Sequence, residues 1–150
     1  MEKSFNERSG VGDNRGYLDN NNNTPESRTH MRIRLTAGET VLNATLDDNA
    51  TARDFASLLP LTLQMNDLFK REKYGRLPRS LTAGGKPQSS YEIGNIAYWS
   101  PGPGIAIFYD HDGPSIPAAP GIVILGEINS GADALKKYDG TVDVTIEAVD

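Results

Sequence analysis

The chain contains no cysteine. Disulfides, thiolate zinc sites, iron–sulfur clusters and cysteine nucleophiles are therefore excluded. Histidine is almost as scarce, with only His30 and His111. A histidine-based metal site needs more ligands than that, so neither a metal nor another cofactor is expected. No apolar run approaches the roughly 20 residues of a membrane span, and no membrane association is expected. The first residues lack the apolar stretch of a secretory signal, which makes the cytoplasm the expected location. The net charge of −5 argues against general nucleic-acid binding.

Large apolar side chains are also rare in the first thirty positions. They are Met1, Phe5, Val11, Tyr17 and Leu18, and a run of asparagines covers Asn20 to Asn23. Such a stretch buries too little apolar surface to offset the entropy of ordering it. Residues 1–30 are therefore expected to form a disordered tail. The folding unit is then 31–150, about 120 residues, enough for one core and too small for two.

From Met31 the pattern changes. Ile33 and Leu35 alternate with Arg32 and Arg34, as in a half-buried strand. Gly38-Glu39 makes a turn, and the alternation of 41–46 completes a hairpin. Asp47-Asp48-Asn49 offers a helix cap, and Thr51-x-x-Asp54 reads as a loose capping box. Ala52, Phe55, Ala56 and Leu59 share one helical face, and Pro60 ends the helix. Leu61, Leu63 and Met65 predict a third strand. Residues 67–90 read as irregular. Further strands are predicted over 93–100, with a bend or bulge at Gly94, and over 105–109, 122–128 and 142–148. A short helix is predicted over 132–138, ending at Gly140. Seven or eight short strands and two short helices suggest a mainly β barrel or sandwich, with helices plugging its ends.

The order of motifs resembles the cyclophilin-like β-barrel superfamily. Thr51-Ala-Arg-Asp-Phe-Ala-Ser-Leu58 is similar to the helix that opens a cyclophilin. Val123-Ile-Leu-Gly-Glu-Ile128 is similar to a later strand, and Ala134 to Gly140 with 142–149 to the closing helix and strand. The chain more closely resembles the small bacterial cyclophilin-like proteins. The shared pieces are 51–63, Glu72-Lys-Tyr-Gly75, Leu77-Pro78, Gly94-Asn-Ile-Ala-Tyr-Trp99 and Ile105-Ala-Ile-Phe-Tyr109. The resemblance implies a closed eight-stranded barrel with a ligand groove on its outer face. Some relatives occur beside flavodoxin-like domains, so a flavodoxin-like or other protein partner is implied by association.

The resemblance also poses a chemical question. A prolyl isomerase of this fold holds the proline in an apolar pocket, and an arginine hydrogen-bonds the prolyl nitrogen as conjugation is lost. The barrier to be lowered is about 20 kcal/mol. That arginine lies on the strand after the first helix. The matching strand here, Leu61-Thr-Leu-Gln-Met-Asn66, has none. Three readings follow. One is a binding module for a peptide or small ligand without efficient isomerase activity and without catalytic residues. Its candidate ligand-binding residues are Gln64, Tyr74, Arg76, Trp99 and Phe108. The second is an isomerase with a non-standard donor, Arg53, Arg76 or Arg79. The third is a purely structural interaction domain, which predicts no groove.

Other features carry less. Lys70 to Arg79 holds five basic residues and one acid, against six basic and fourteen acidic side chains in the rest of 31–150. It reads as an anion-binding patch or as a solvated basic loop. Tyr98 and Trp99 should face opposite ways, as should Phe108 and Tyr109, so that one of each pair lines an outer groove. Asp110-His111-Asp112 has the residue types for acid–base work, but neighbours in a turn rarely converge on one point.

Overall fold

The computed structural model describes residues 31–149, so the tail expected over 1–30 lies outside the described residues. Eight strands alternate with two short helices. They are β1 (Arg32–Ala37), β2 (Thr40–Leu46), α1 (Ala50–Ala56), β3 (Leu61–Leu68), β4 (Glu72–Arg76), β5 (Asn95–Trp99), β6 (Gly104–Phe108) and β7 (Val123–Ile128). A 3₁₀ helix (Ala132–Lys137) and β8 (Thr141–Ala148) follow. The strands close into a barrel in the order β1-β2-β7-β5-β6-β4-β3-β8, and every neighbouring pair is antiparallel. The fold class expected from the sequence is the one observed.

Closure sorts the side chains by strand alternation. Ile33, Leu35, Ala44, Leu63, Met65, Ile96, Ile105, Ile107, Leu125, Val144 and Ile146 fill the interior with the other members of one apolar cluster. Ala97, Ala106, Phe108 and Ile122 form a second cluster, against which Tyr74, Tyr91, Trp99, Ile116 and Ile124 pack. The expected division of the aromatics is present. Tyr98 and Tyr109 belong to the first cluster, Trp99 and Phe108 to the second. β6 is buried along its whole length because it has a cluster on each face.

The helices sit at opposite ends. α1 follows the end of β2, while Tyr138, just past the 3₁₀ helix, donates its hydroxyl to Ala37 O at the β1–β2 turn. The capping box is not formed. Asn49 caps α1, its side chain accepting from the Ala52 N–H at 2.8 Å. Thr51 instead donates to Thr82 O and accepts from the Gly85 N–H, tying the 82–85 loop to the helix. Asp54 accepts two bonds from Arg79 and one from the Thr82 N–H. No helix among the described residues is long and apolar enough to cross a membrane.

The largest correction concerns 67–90. The segment Glu72–Arg76 is not irregular: it is β4, paired with both β3 and β6. Of the five basic residues from Lys70 to Arg79, Lys70, Arg76 and Arg79 are exposed, but Arg71 and Lys73 are buried. Lys73 points into the barrel and is fully buried. Its ammonium donates to Asp67 Oδ1 at 3.1 Å and to the Tyr138 carbonyl, and the Tyr109 hydroxyl donates to the same Asp67 oxygen. Burial acts to raise the Asp67 carboxyl, but the bonds from Tyr109 and Lys73 outweigh it and hold it below its ordinary value. One buried cation thus joins β4, β3 and the end of the 3₁₀ helix.

Two predictions follow from these contacts. Lys73→Ala strands Asp67 and the Tyr138 carbonyl, so it should destabilise the fold by about 3 kcal/mol or more. Lys70→Ala, on the exposed turn, should stay within about 0.5 kcal/mol; urea unfolding compares them. The Arg79 guanidinium and the Thr82 N–H hold the Asp54 carboxyl well below the usual carboxylate range. A carboxyl depressed by folding stabilises above its unfolded pKa, about 3.9, and loses that contribution as pH falls towards the folded value. Asp54→Asn should therefore lower the urea midpoint at neutral pH, with the gap to the parent shrinking below about pH 4. A gap constant with pH would mean that Asp54 acts by packing alone.

Candidate functional site

The β3–β4 connection has three residues, Phe69, Lys70 and Arg71, and the first two have φ of 58° and 52°. Arg71 N–H closes it onto Leu68 O at 3.0 Å. Positive φ at both central residues of the Leu68–Arg71 turn is the mark of type I′, whose usual occupants are Asn and Gly. Neither Phe nor Lys adopts that conformation readily. The Lys70 N–H bonded to Asp67 Oδ2 helps to hold it. The result is an aromatic ring, about half exposed, fixed at the tip of the turn.

Arg71 follows directly and is 4% exposed, with Glu72 at 5%. The guanidinium lies among three rings, 5.1 Å from the centroid of Phe69, 5.6 Å from Phe108 and 5.8 Å from Tyr91. Its Nε and Nη2 both donate to Glu72 Oε1, at 2.9 and 2.5 Å. Its Nη1 donates to Pro114 O at 2.5 Å and more weakly to Asp112 O at 3.4 Å. Arg71 therefore clamps the 112–114 segment against the barrel. Burial pushes the Glu72 carboxyl up from its ordinary value, and the adjacent Arg71 opposes this without cancelling it.

Beside this clamp lies an open groove of about 440 Å³. Tyr74, Trp99, Ala106 and Phe108 form its wall on the barrel, Phe69 stands at one side, and Pro114 to Pro117 border it from the loop. Arg71 and Glu72 are its charged lining residues. Tyr91 stacks on Phe108 with ring centroids 3.9 Å apart. Gly104 lets Tyr74 lie flat on the sheet. A Cβ there would come within 2.4 Å of the Tyr74 ring carbon that bears the hydroxyl. Burial also pushes the Tyr74 and Tyr91 hydroxyls up from their ordinary values.

Of the five residues singled out in the sequence, Tyr74, Trp99 and Phe108 come together in this groove. Gln64 and Arg76 do not line it. Gln64 is exposed on β3 opposite Asp143, and Arg76 is exposed at the end of β4 opposite Gly104. The other arginines considered as donors are engaged elsewhere: Arg53 pairs with Asp48, and Arg79 with Asp54. His111 stacks on Tyr91 at 5.1 Å, and among the described residues no hydrogen bond joins its ring to Asp110 or Asp112. Sequence reasoning missed Phe69, Arg71 and Glu72. Their only signal was an aromatic residue directly before a run of alternating charge, and nothing local says that such charges are buried.

A model of the cyclophilin-like family matches residues 35–147. The chain belongs to the cyclophilin-like family. This match spans β2 to β7 entirely, half of β1 and most of β8, so the groove lies inside the cyclophilin-like domain. The solution structure of a hypothetical protein from Archaeoglobus fulgidus is similar, with a TM-score of 0.65 and 22% identity. The alignment covers 81% of this chain and 96% of that one. At that identity the likeness speaks for the fold. No curated protein matches the chain.

The strained turn yields a test. Replacing Phe69-Lys70 by Asn-Gly supplies the residues that a type I′ turn favours. The double variant Phe69→Asn, Lys70→Gly should be more stable by about 1 kcal/mol in urea unfolding. A loss of stability would show that the Phe69 ring contributes more through its contact with Arg71 than its backbone costs.

Proposed function

We propose that this domain is a binding module that takes an apolar side chain of a peptide, or a small apolar ligand, into the groove beside Arg71, without efficient prolyl isomerase activity. The observation that carries the reading is an open aromatic groove next to an arginine each of whose three nitrogens already donates to the protein. Tyr74, Trp99 and Phe108 offer an apolar wall with polar edges at Tyr and Trp, which suits recognition of bulky groups. Catalysis of isomerisation needs a donor preorganised for the twisted prolyl nitrogen. Arg71 is within the groove lining, but its Nε, Nη1 and Nη2 atoms all serve Glu72, Asp112 and Pro114.

Arg71 is also what favours the second reading, an isomerase in which that guanidinium exchanges a loop carbonyl for the substrate. The two readings separate in one pair of measurements. Trp99 is the single tryptophan, so its fluorescence reports on the groove. A panel of hydrophobic peptides should perturb it and raise the thermal midpoint. Trp99→Ala should abolish the midpoint shift while the fold survives. Under the first reading, the isomerisation rate of a proline peptide stays at its uncatalysed value with the parent and with Gln64→Ala alike. A rate that grows with protein concentration and vanishes in Arg71→Lys would establish the second.

A further inference from the structure

Glu72 is the group in the groove that the fold leaves half used. Its side chain is 7% exposed and lines the groove. Oε1 accepts both the Nε and the Nη2 bonds of Arg71. Oε2 accepts no hydrogen bond among the described residues. An ionised carboxylate oxygen has acceptor positions to fill, and leaving it dry is more costly than leaving a neutral acceptor dry. The groove that Glu72 lines stands open to solvent. A ligand that fills the groove shuts solvent out and must supply the missing donor itself. The groove therefore separates ligands of equal shape by whether they carry a hydrogen there.

Resting on the binding reading above, we propose that the ligand of this groove is an apolar group bearing an N–H donor, a secondary amide or an amine, seated with that N–H on Glu72 Oε2. The Arg71 guanidinium balances the Glu72 charge, so a neutral amide meets the requirement as well as an ammonium does. A prolyl nitrogen does not meet it, because it has no hydrogen. At Glu72 the groove thus offers the ligand an acceptor, the reverse of the donor that prolyl isomerisation needs.

Three small probes test this on the full chain: N-benzylacetamide, its ester isostere benzyl acetate, and benzylamine. The Trp99 indole signal follows each titration. At least one of the two N–H probes should bind about tenfold or more tightly than benzyl acetate, the size expected of a hydrogen bond to a charged group. Which of them does so identifies the donor as amide or amine. In Glu72→Gln the side-chain oxygen stays with Arg71 and an NH₂ replaces Oε2, so the preference should disappear. If that variant does not fold, the ratio measured on the parent decides alone. Equal binding of all three probes overturns the proposal and leaves the groove reading standing. No Trp99 response to any of them overturns both.

Discussion

Closing eight antiparallel strands into a barrel leaves each side chain two directions, inward or outward. In β5 and β6 this places Tyr98 and Ile105 inside while Trp99 and Phe108 line the outer cluster. The same rule splits β4 more sharply. Lys73 turns inward to Asp67 and the Tyr138 carbonyl, while Glu72 and Tyr74 turn outward to the groove. A strand that carries a charge on each face has no stable alternative register, because a slip by one residue would exchange the two environments.

On the outer face, Arg71 does for the groove what Lys73 does for the interior. Its charge offsets a buried carboxylate, its carbonyl contacts hold the 112–114 segment, and its plane lies among three rings. The unfavourable turn at Phe69 and Lys70 sits directly beside it. Strain of this kind persists where the surrounding contacts over-determine it, and it clusters at active sites, ligand clamps and switch regions. The groove has an aromatic wall, a clamp and an acceptor oxygen with no hydrogen-bond partner among the described residues.

Much of the fold was legible from residue order. Alternation located β1, β2, β3 and β8, and the apolar runs at 105–109 and 122–128 located β6, buried throughout, and β7, buried only in part. β4 was not legible, for two physical reasons. Its turn lacks Asn and Gly, so the hairpin gave no local sign. Its alternating residues are Glu72, Lys73 and Tyr74, and a charged pattern normally marks solvent. The candidate site was half legible. Tyr74, Trp99 and Phe108 stood out as aromatics on neighbouring segments, whereas Gln64 and Arg76 were chosen for their polar chemistry and sit outside the groove.

By itself the residue pattern determined a mainly β barrel or sandwich, the sorting of aromatics between two faces and the exclusion of cysteine chemistry. These depend on composition and on a period of two, which any single strand displays. Only the tertiary structure decided which charges are buried and what they hold. Arg71 meets Pro114, and Lys73 meets Tyr138, across separations of 43 and 65 residues. Partnerships at that distance arise from barrel closure, and no local pattern along the chain encodes them.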